Sequence, residues 1–147
     1  MFIVVLLEPL DSVLPPFYGD FSPGRETKLR GVMKFKSITI YHNPRCSKSR
    51  QTLQLIRDHG IEPTIVNYLE SPPDVTELRR IVKQSKLQVT DFVRRREQIE
   101  LGLPTSDDEE TLLKQMAANP KILERPIVVC GNKACLGRPP ENVLDIL

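Results

Sequence analysis

Cys46 closes the run Ile40-Tyr41-His42-Asn43-Pro44-Arg45, and Ser47, Lys48, Ser49 and Arg50 follow it. The run begins apolar, turns at Pro44, and ends where an amphipathic pattern starts. A sulfur at a helix N-terminus faces backbone N–H groups that have no carbonyl partner, and these favour thiolate over thiol. His42, Arg45, Lys48 and Arg50 add cationic or potentially cationic side chains nearby. Most free cysteines are small buried hydrophobes, but this setting points to a nucleophile.

The neighbours narrow the chemistry. A dithiol oxidoreductase needs a resolving cysteine three positions on, and position 49 is Ser. A phosphatase-type loop wants Arg six positions on, and position 52 is Thr. Cys46 therefore cannot close a local disulfide, and a second thiol must come from elsewhere. Ser49 either hydrogen-bonds the thiolate or is a plain first-turn residue. His42 either raises the thiolate fraction by being protonated or packs at a strand end.

Arginines supply a second theme. Arg125 precedes Pro126 just before an apolar run, and Arg138 precedes Pro139-Pro140 just after another. Arg94 opens the tripeptide Arg94-Arg95-Arg96. One arginine alone is usually a solvated charge. Two Arg-Pro pairs flanking adjacent strands sit at element junctions near one sheet edge. The guanidinium fork suits tetrahedral oxyanions because it offers paired hydrogen bonds. A nucleophilic cysteine with converging arginines implies an oxyanion substrate.

The elements that must position these groups are legible. Residues 37–42 are β-branched and aromatic and predict a strand. Residues 47–59 predict a helix with Leu53 and Ile56 on one face, stopped by Gly60. Residues 64–69 predict a second strand, parallel to the first through the short crossover. Asp74 with Glu77 gives a capping-box pattern, and Leu78, Ile81 and Val82 a helical stripe. A short helix is expected near 90–93 and a loop over 94–105. Ser106 with Glu109 repeats the capping pattern before Leu112, Leu113 and Met116. Residues 126–130 predict a buried strand, Gly131-Asn132 a hairpin turn, 133–136 the return strand, and 141–147 a terminal helix. The order predicts an α/β, thioredoxin-like fold: a mixed central sheet of about four strands with an inserted helical segment.

Composition sets the remaining bounds. The chain has 147 residues and a formal net charge of +2, too small a surplus to suggest nucleic acid. Three cysteines, Cys46, Cys130 and Cys135, argue against a secreted disulfide framework and for a reducing, cytoplasmic setting. Cys130 and Cys135 flank the hairpin turn and read as structural. No zinc spacing is present and no apolar stretch is long enough to span a membrane, so neither a metal site nor a membrane is expected. Residues 1–32, rich in Pro and Gly without period, read as a flexible N-terminal extension or a start placed too far upstream of Met33. The functional domain is then 33–147.

Residues 33–147 resemble the glutaredoxin-coupled arsenate reductases. The resemblance is carried by His42-Asn43-Pro44-Arg45-Cys46-Ser47-Lys48-Ser49-Arg50, by Glu62-Pro63-Thr64 leading to Tyr68-Leu69-Glu70, and by Pro72-Pro73. It continues in Glu124-Arg125-Pro126-Ile127-Val128-Val129 and Gly137-Arg138-Pro139-Pro140-Glu141, then Val143-Leu144-Asp145-Ile146-Leu147. The resemblance implies reduction of arsenate to arsenite. Cys46 would form a thiol–arsenate adduct, glutathione would displace onto it, and glutaredoxin would reduce the mixed species. It implies thiolate support from His42, oxyanion binding by Arg94, Arg125 and Arg138, and a cis bond at Arg125-Pro126. Arg95 and Arg96 remain alternatives to Arg94. Glutathione is then a co-substrate and glutaredoxin a partner, with no bound cofactor and a monomeric chain. The alternatives are a related monothiol oxidoreductase with another substrate, and an Spx-like transcriptional regulator sharing the fold.

Overall fold

The computed structural model describes residues 36–147, which belong to one compact unit. The expectation for residues 1–32 lies outside the described residues. Four strands form a mixed sheet: β1 (Ile38–His42), β2 (Thr64–Asn67), β3 (Ile127–Cys130) and β4 (Lys133–Leu136). Their order is β2-β1-β3-β4, with β1 parallel to β2 and antiparallel to β3, and β3 antiparallel to β4. The helices are α1 (Ser47–Asp58), α2 (Val75–Ser85), α3 (Arg95–Glu100) and α4 (Glu109–Ala118), with short 3₁₀ turns at Val89–Phe92, Pro120–Ile122 and Pro140–Asp145.

The period-2 alternation of the strands divides the core between the two sheet faces. Ile38 and Ile40 of β1, with Val128 and Cys130 of β3, pack with Leu53 and Ile56 of α1 and with Val143 and Ile146. Tyr41, Ile127 and Val129 face the other way, onto Leu78 and Ile81 of α2 and Leu112, Leu113 and Met116 of α4. With both faces covered, β3 is buried at every position, which explains its continuous apolar run. Each such side chain contributes about 1.5–3 kcal/mol on burial.

Local signals set most of the boundaries. Gly60, at φ +74°, follows α1 and donates its N–H to Arg57 O at 2.8 Å, while Ile61 N reaches Ile56 O at 3.4 Å. That double closure is the Schellman arrangement, and the positive φ is why glycine stands there. Asp74 caps α2 by accepting from Glu77 N at 2.8 Å. The Glu77 carboxylate does not return the bond. It accepts from Tyr41 Oη at 2.7 Å and pairs with Arg80, tying α2 to β1.

Three expectations are corrected. The segment 94–105 is not all loop, because Arg95–Glu100 forms α3. Its single turn and a half is held by Arg95 bonding Gln98 and Ser106 O, and by buried Gln98 donating to Pro104 O and Gln115. These contacts are invisible to apolar periodicity. The cap of α4 is Asp108, which accepts from Thr111 N at 2.9 Å, while Ser106 accepts from Asp108 N two residues earlier. The short helix expected near 90–93 and the terminal helix expected at 141–147 are both 3₁₀.

Gly137 sits at a close junction between α1 and the β3–β4 hairpin. A Cβ at 137 would stand 2.5 Å from Thr52 Oγ1 and 2.6 Å from Pro126 Cγ. Thr52 is fully buried and comes within 3.5 Å of Gly137 O, so it has no room to withdraw. Gly137→Ala should therefore lower unfolding stability by about 1–3 kcal/mol, measured as a shifted denaturant midpoint. An unchanged midpoint would show that this junction gives way freely.

Candidate active site

The site is built at one end of the sheet, where β1 stops. Asn43 O accepts from Cys46 N at 3.0 Å, and Asn43 Oδ1 accepts from Arg45 N at 2.9 Å. This side-chain turn folds the backbone sharply and leaves Cys46 as the N-cap of α1, in extended conformation at φ −93° and ψ 121°. The thiol makes no capping hydrogen bond by strict geometry. The Ser49 and Lys48 amides of the first turn still lie close enough to favour its charge.

Strand register then delivers the arginines. Tyr41 pairs with Ile127 across β1–β3, and Ile127 with Leu136 across β3–β4. Continuing both registers sets Asn43 opposite Arg125, and Arg125 opposite Arg138. Gly137 N donates to Pro126 O at 2.9 Å and carries the ladder one step past β4. Arg138 Nε donates to Arg125 O at 3.0 Å, and its Nη2 lies 4.0 Å from Cys46 Sγ. Both Arg-Pro bonds, Arg125-Pro126 and Arg138-Pro139, are cis. The first was expected and the second was not.

Several influences compete at Sγ. Burial is the largest and would raise the Cys46 pKa. The Ser49 amide, the Arg125 guanidinium and the Lys48 amide together outweigh it, so the thiol is held below its ordinary value. Cys46 is also partly exposed. The cations next to it in sequence contribute less than their number promised. Arg45, Lys48 and Arg50 are exposed, and Arg50 Nη1 donates to Pro44 O at 2.9 Å.

His42 and Ser49 are brought together, but with each other. Ser49 Oγ lies 2.8 Å from His42 Nδ1 and accepts from Asn43 N at 3.0 Å, with both side chains buried. Burial first, then the charges of Arg57 and Arg50, lower the His42 pKa. A protonated His42 feeding the thiolate is therefore disfavoured. The Ser49 hydroxyl braces the turn, while its backbone N–H faces the sulfur.

Arg94 is the N-cap of α3, with its N–H donated to Ile122 O at 2.7 Å. Its guanidinium pairs with Glu97 and, among the described residues, makes no bond to Cys46. Arg95 is spent on Gln98, Ser106 O and Asp107, and Arg96 pairs with Glu100 in solvent. Cys130 is buried in β3 and Cys135 lies in β4 opposite Val128. Cys135 is pushed up to about 12, by burial first and then by the Asp145 carboxylate. No group of three His, Cys, Asp or Glu side chains suited to a metal occurs among the described residues. No helix there is long and apolar enough to cross a membrane.

Neither Tyr68 nor Glu124 is marked for a role by its type or spacing, although both stand inside the motifs that carry the family resemblance. Tyr68 is fully buried, and its oxygen accepts from Arg125 Nη1 at 3.2 Å. Glu124 Oε2 lies 3.3 Å from Arg138 Nε, a contact of charge without hydrogen-bond geometry, since that N–H is directed at Arg125 O.

A mixed four-stranded sheet, a cysteine at the first helix's N-terminus and a cis proline opening β3 define a thioredoxin-like thiol protein. The ArsC family model matches residues 41–146, and the chain belongs to that family. It is 48% identical over 116 residues to the Escherichia coli protein YfgD, covering 76% of this chain and 98% of that protein. It is 43% identical over 114 residues to an arsenate reductase of Neisseria meningitidis, covering 75% of this chain and 97% of the relative. Among solved structures it is similar to an arsenate reductase from Vibrio cholerae, with a TM-score of 0.68, 45% identity, and coverage of 76% of this chain and 98% of the other.

Two predictions follow from these electrostatics. Iodoacetamide should label Cys46 with a pH midpoint below that of an ordinary thiol, leave Cys135 unlabelled at neutral pH, and shift that midpoint upward in Arg125→Ala. Peptide mapping by mass spectrometry reads all three; a Cys46 midpoint at or above the ordinary value would remove the thiolate from the site. His42 titrates lower folded than unfolded, so below its ordinary value of 6.5 the unfolded chain binds the extra proton first. Its contribution to stability is thus complete above 6.5 and is lost as pH falls from 6.5 through the folded value. Denaturation midpoints of wild type and His42→Gln should converge across that window; parallel pH curves would refute it.

Proposed function

We propose that the protein is an arsenate reductase that uses Cys46 as its single nucleophile, glutathione as reductant and glutaredoxin as partner. The observation that carries this reading is one thiol, held toward its thiolate, with Arg125 and Arg138 against it and Ser at the position of a local second thiol. Arsenate reductases among the relatives support the choice of oxyanion.

Cys46 attacks arsenic, one oxygen leaves as water, and a sulfur–arsenic bond forms without change of oxidation state. Reduction of As(V) to As(III) then takes two electrons. They come from the sulfur–arsenic pair, which stays on arsenic as Cys46 joins the glutathione thiol in a disulfide. Glutaredoxin's thiol takes over the glutathione sulfur and returns Cys46. The balance is one arsenate and two thiols to one arsenite, one disulfide and one water. Arg125 and Arg138 neutralise the incoming anion, which otherwise repels a thiolate. Arg94 is the third oxyanion arginine in this reading. Arg95 and Arg96 are engaged elsewhere, whereas the Arg94 side chain is one-fifth exposed and its backbone bonds the 3₁₀ turn that precedes Arg125. Such a cycle runs in a reducing, cytoplasmic setting, and the site as proposed draws all its residues from one chain.

Purified protein with arsenate, glutathione and glutaredoxin should produce arsenite, and omission of any component should stop it. Cys46→Ser should abolish turnover, and Cys130→Ser and Cys135→Ser should largely retain it. Arg125→Ala should cost about 1.5–3 kcal/mol of arsenate binding, roughly ten- to a hundredfold in KM. Turnover by Cys46→Ser would refute the mechanism.

A further inference from the structure

The charged groups at Cys46 account for the sulfur and the anion's charge, but Tyr68 remains unexplained. It is a buried phenol at the end of the sheet where the reaction is placed. His42 pairs with Asn67 across β1–β2. Continuing that parallel register sets Tyr68 beside Asn43, and the antiparallel register sets Arg125 on the other side of Asn43. Tyr68, Asn43, Arg125 and Arg138 thus form one row across the sheet end, and Arg138 Nη2 of that row lies 4.0 Å from Cys46 Sγ.

Tyr68 is fully buried, yet its hydroxyl is satisfied on one side only. Its oxygen accepts from Arg125 Nη1 at 3.2 Å, and its own proton has no acceptor among the described residues. A buried O–H left undonated is costly unless a partner arrives. The second buried phenol near this face, Tyr41, shows the ordinary solution: it donates to Glu77 Oε1 at 2.7 Å. Arg125 carries a matching vacancy, since its Nε is buried without a partner. Two undonated hydrogens, held by one guanidinium–phenol contact beside a nucleophilic sulfur, suit an acceptor-rich ligand. An oxyanion is such a ligand, and a phenol donating to it forms a charge-assisted bond.

We propose that Tyr68 is a binding residue for the oxyanion, donating its phenolic hydrogen to an arsenate oxygen while its hydroxyl oxygen accepts from Arg125. The proposal rests on the arsenate-reductase reading only in taking an oxyanion as the ligand of Cys46.

The test is protection of Cys46 from iodoacetamide by arsenate at fixed pH, without glutathione or glutaredoxin, in wild type and Tyr68→Phe. The ring is retained, so the core should stay packed. The expected result is roughly a tenfold or greater rise in the arsenate concentration giving half-protection, with the pH midpoint of Cys46 alkylation unchanged. Equal protection in the two proteins overturns the proposal. So does a raised alkylation midpoint like that of Arg125→Ala, which would make Tyr68 a support for Arg125 alone. Failure of arsenate to protect the wild type is a different outcome: it sinks the arsenate reading itself and the proposal with it. If Tyr68→Phe loses cooperative unfolding, full-length protein labelled with 3-fluorotyrosine replaces it. A more acidic phenol of the same shape should tighten arsenate binding, and unchanged binding overturns the proposal.

Discussion

The arrangement depends on keeping one sulfur charged in a partly buried place. Burial opposes the thiolate more strongly than any single group favours it. The protein meets that cost by spreading the compensation over segments far apart in sequence: two amides of α1's first turn and a guanidinium from residue 125. None of these is sufficient alone, and none is useful unless the chain brings it within reach of Sγ. The turn at Asn43, the bracing of Ser49 by His42 and the packing of α1 on the hairpin all serve this convergence. A neutral His42 fits it better than a protonated one. A buried imidazolium would add a second desolvated cation, whereas a neutral ring can bond Ser49 Oγ at 2.8 Å without that penalty.

Topology makes the convergence inexpensive. Because β3 runs antiparallel to β1, the residue entering β3 and the residue ending β1 lie at the same sheet end. Because β4 returns through the two-residue turn Gly131-Asn132, the residue leaving β4 lies there too. One hairpin therefore presents Arg125 and Arg138 side by side. The second arginine is fixed through the first one's carbonyl and by the charge of Glu124. Like charges so close repel, and a single carboxylate offsets only part of that. The residual positive field would favour an anion at this sheet end.

Much of this was legible in the chain, and the rest was not for identifiable reasons. The strand–turn–cysteine–helix run is local, so residue types and Gly60 were enough to read it. The pairing of Arg-Pro segments hinted at a shared edge, and the family resemblance carried the arginines further than spacing alone. Side-chain partners were not legible. Ser49, three residues after Cys46 in the first turn of α1, is chemically a good donor to a thiolate, yet its hydroxyl belongs to His42 and Asn43 N. α3 escaped because its stability comes from Arg95 bonding Ser106 O eleven residues on and from Gln98 bonding Gln115 of α4, a tertiary effect without hydrophobic period. The 106–109 capping pattern misled because Asp108 competes for the same role and is two residues closer to the helix.

The distribution of unmet polar atoms gives the last constraint. Among the described residues, buried side-chain atoms without a hydrogen bond are Asn67 Oδ1, Glu124 Oε2 and Arg125 Nε. All three belong to segments ending or entering the sheet beside Cys46, while polar groups buried elsewhere, such as Gln98, are bonded. A fold that satisfied its polar groups at random would scatter such exceptions through its interior. Their confinement to one end concentrates the cost there: Arg125 Nε is a donor that an oxyanion can meet, whereas Asn67 Oδ1 and Glu124 Oε2 are acceptors that only a ligand hydroxyl can meet. The same groups would be poor choices for a purely structural core, where an apolar residue of equal size would serve better. Their presence is therefore a physical argument for a site at this sheet end, independent of the cysteine from which it was first inferred.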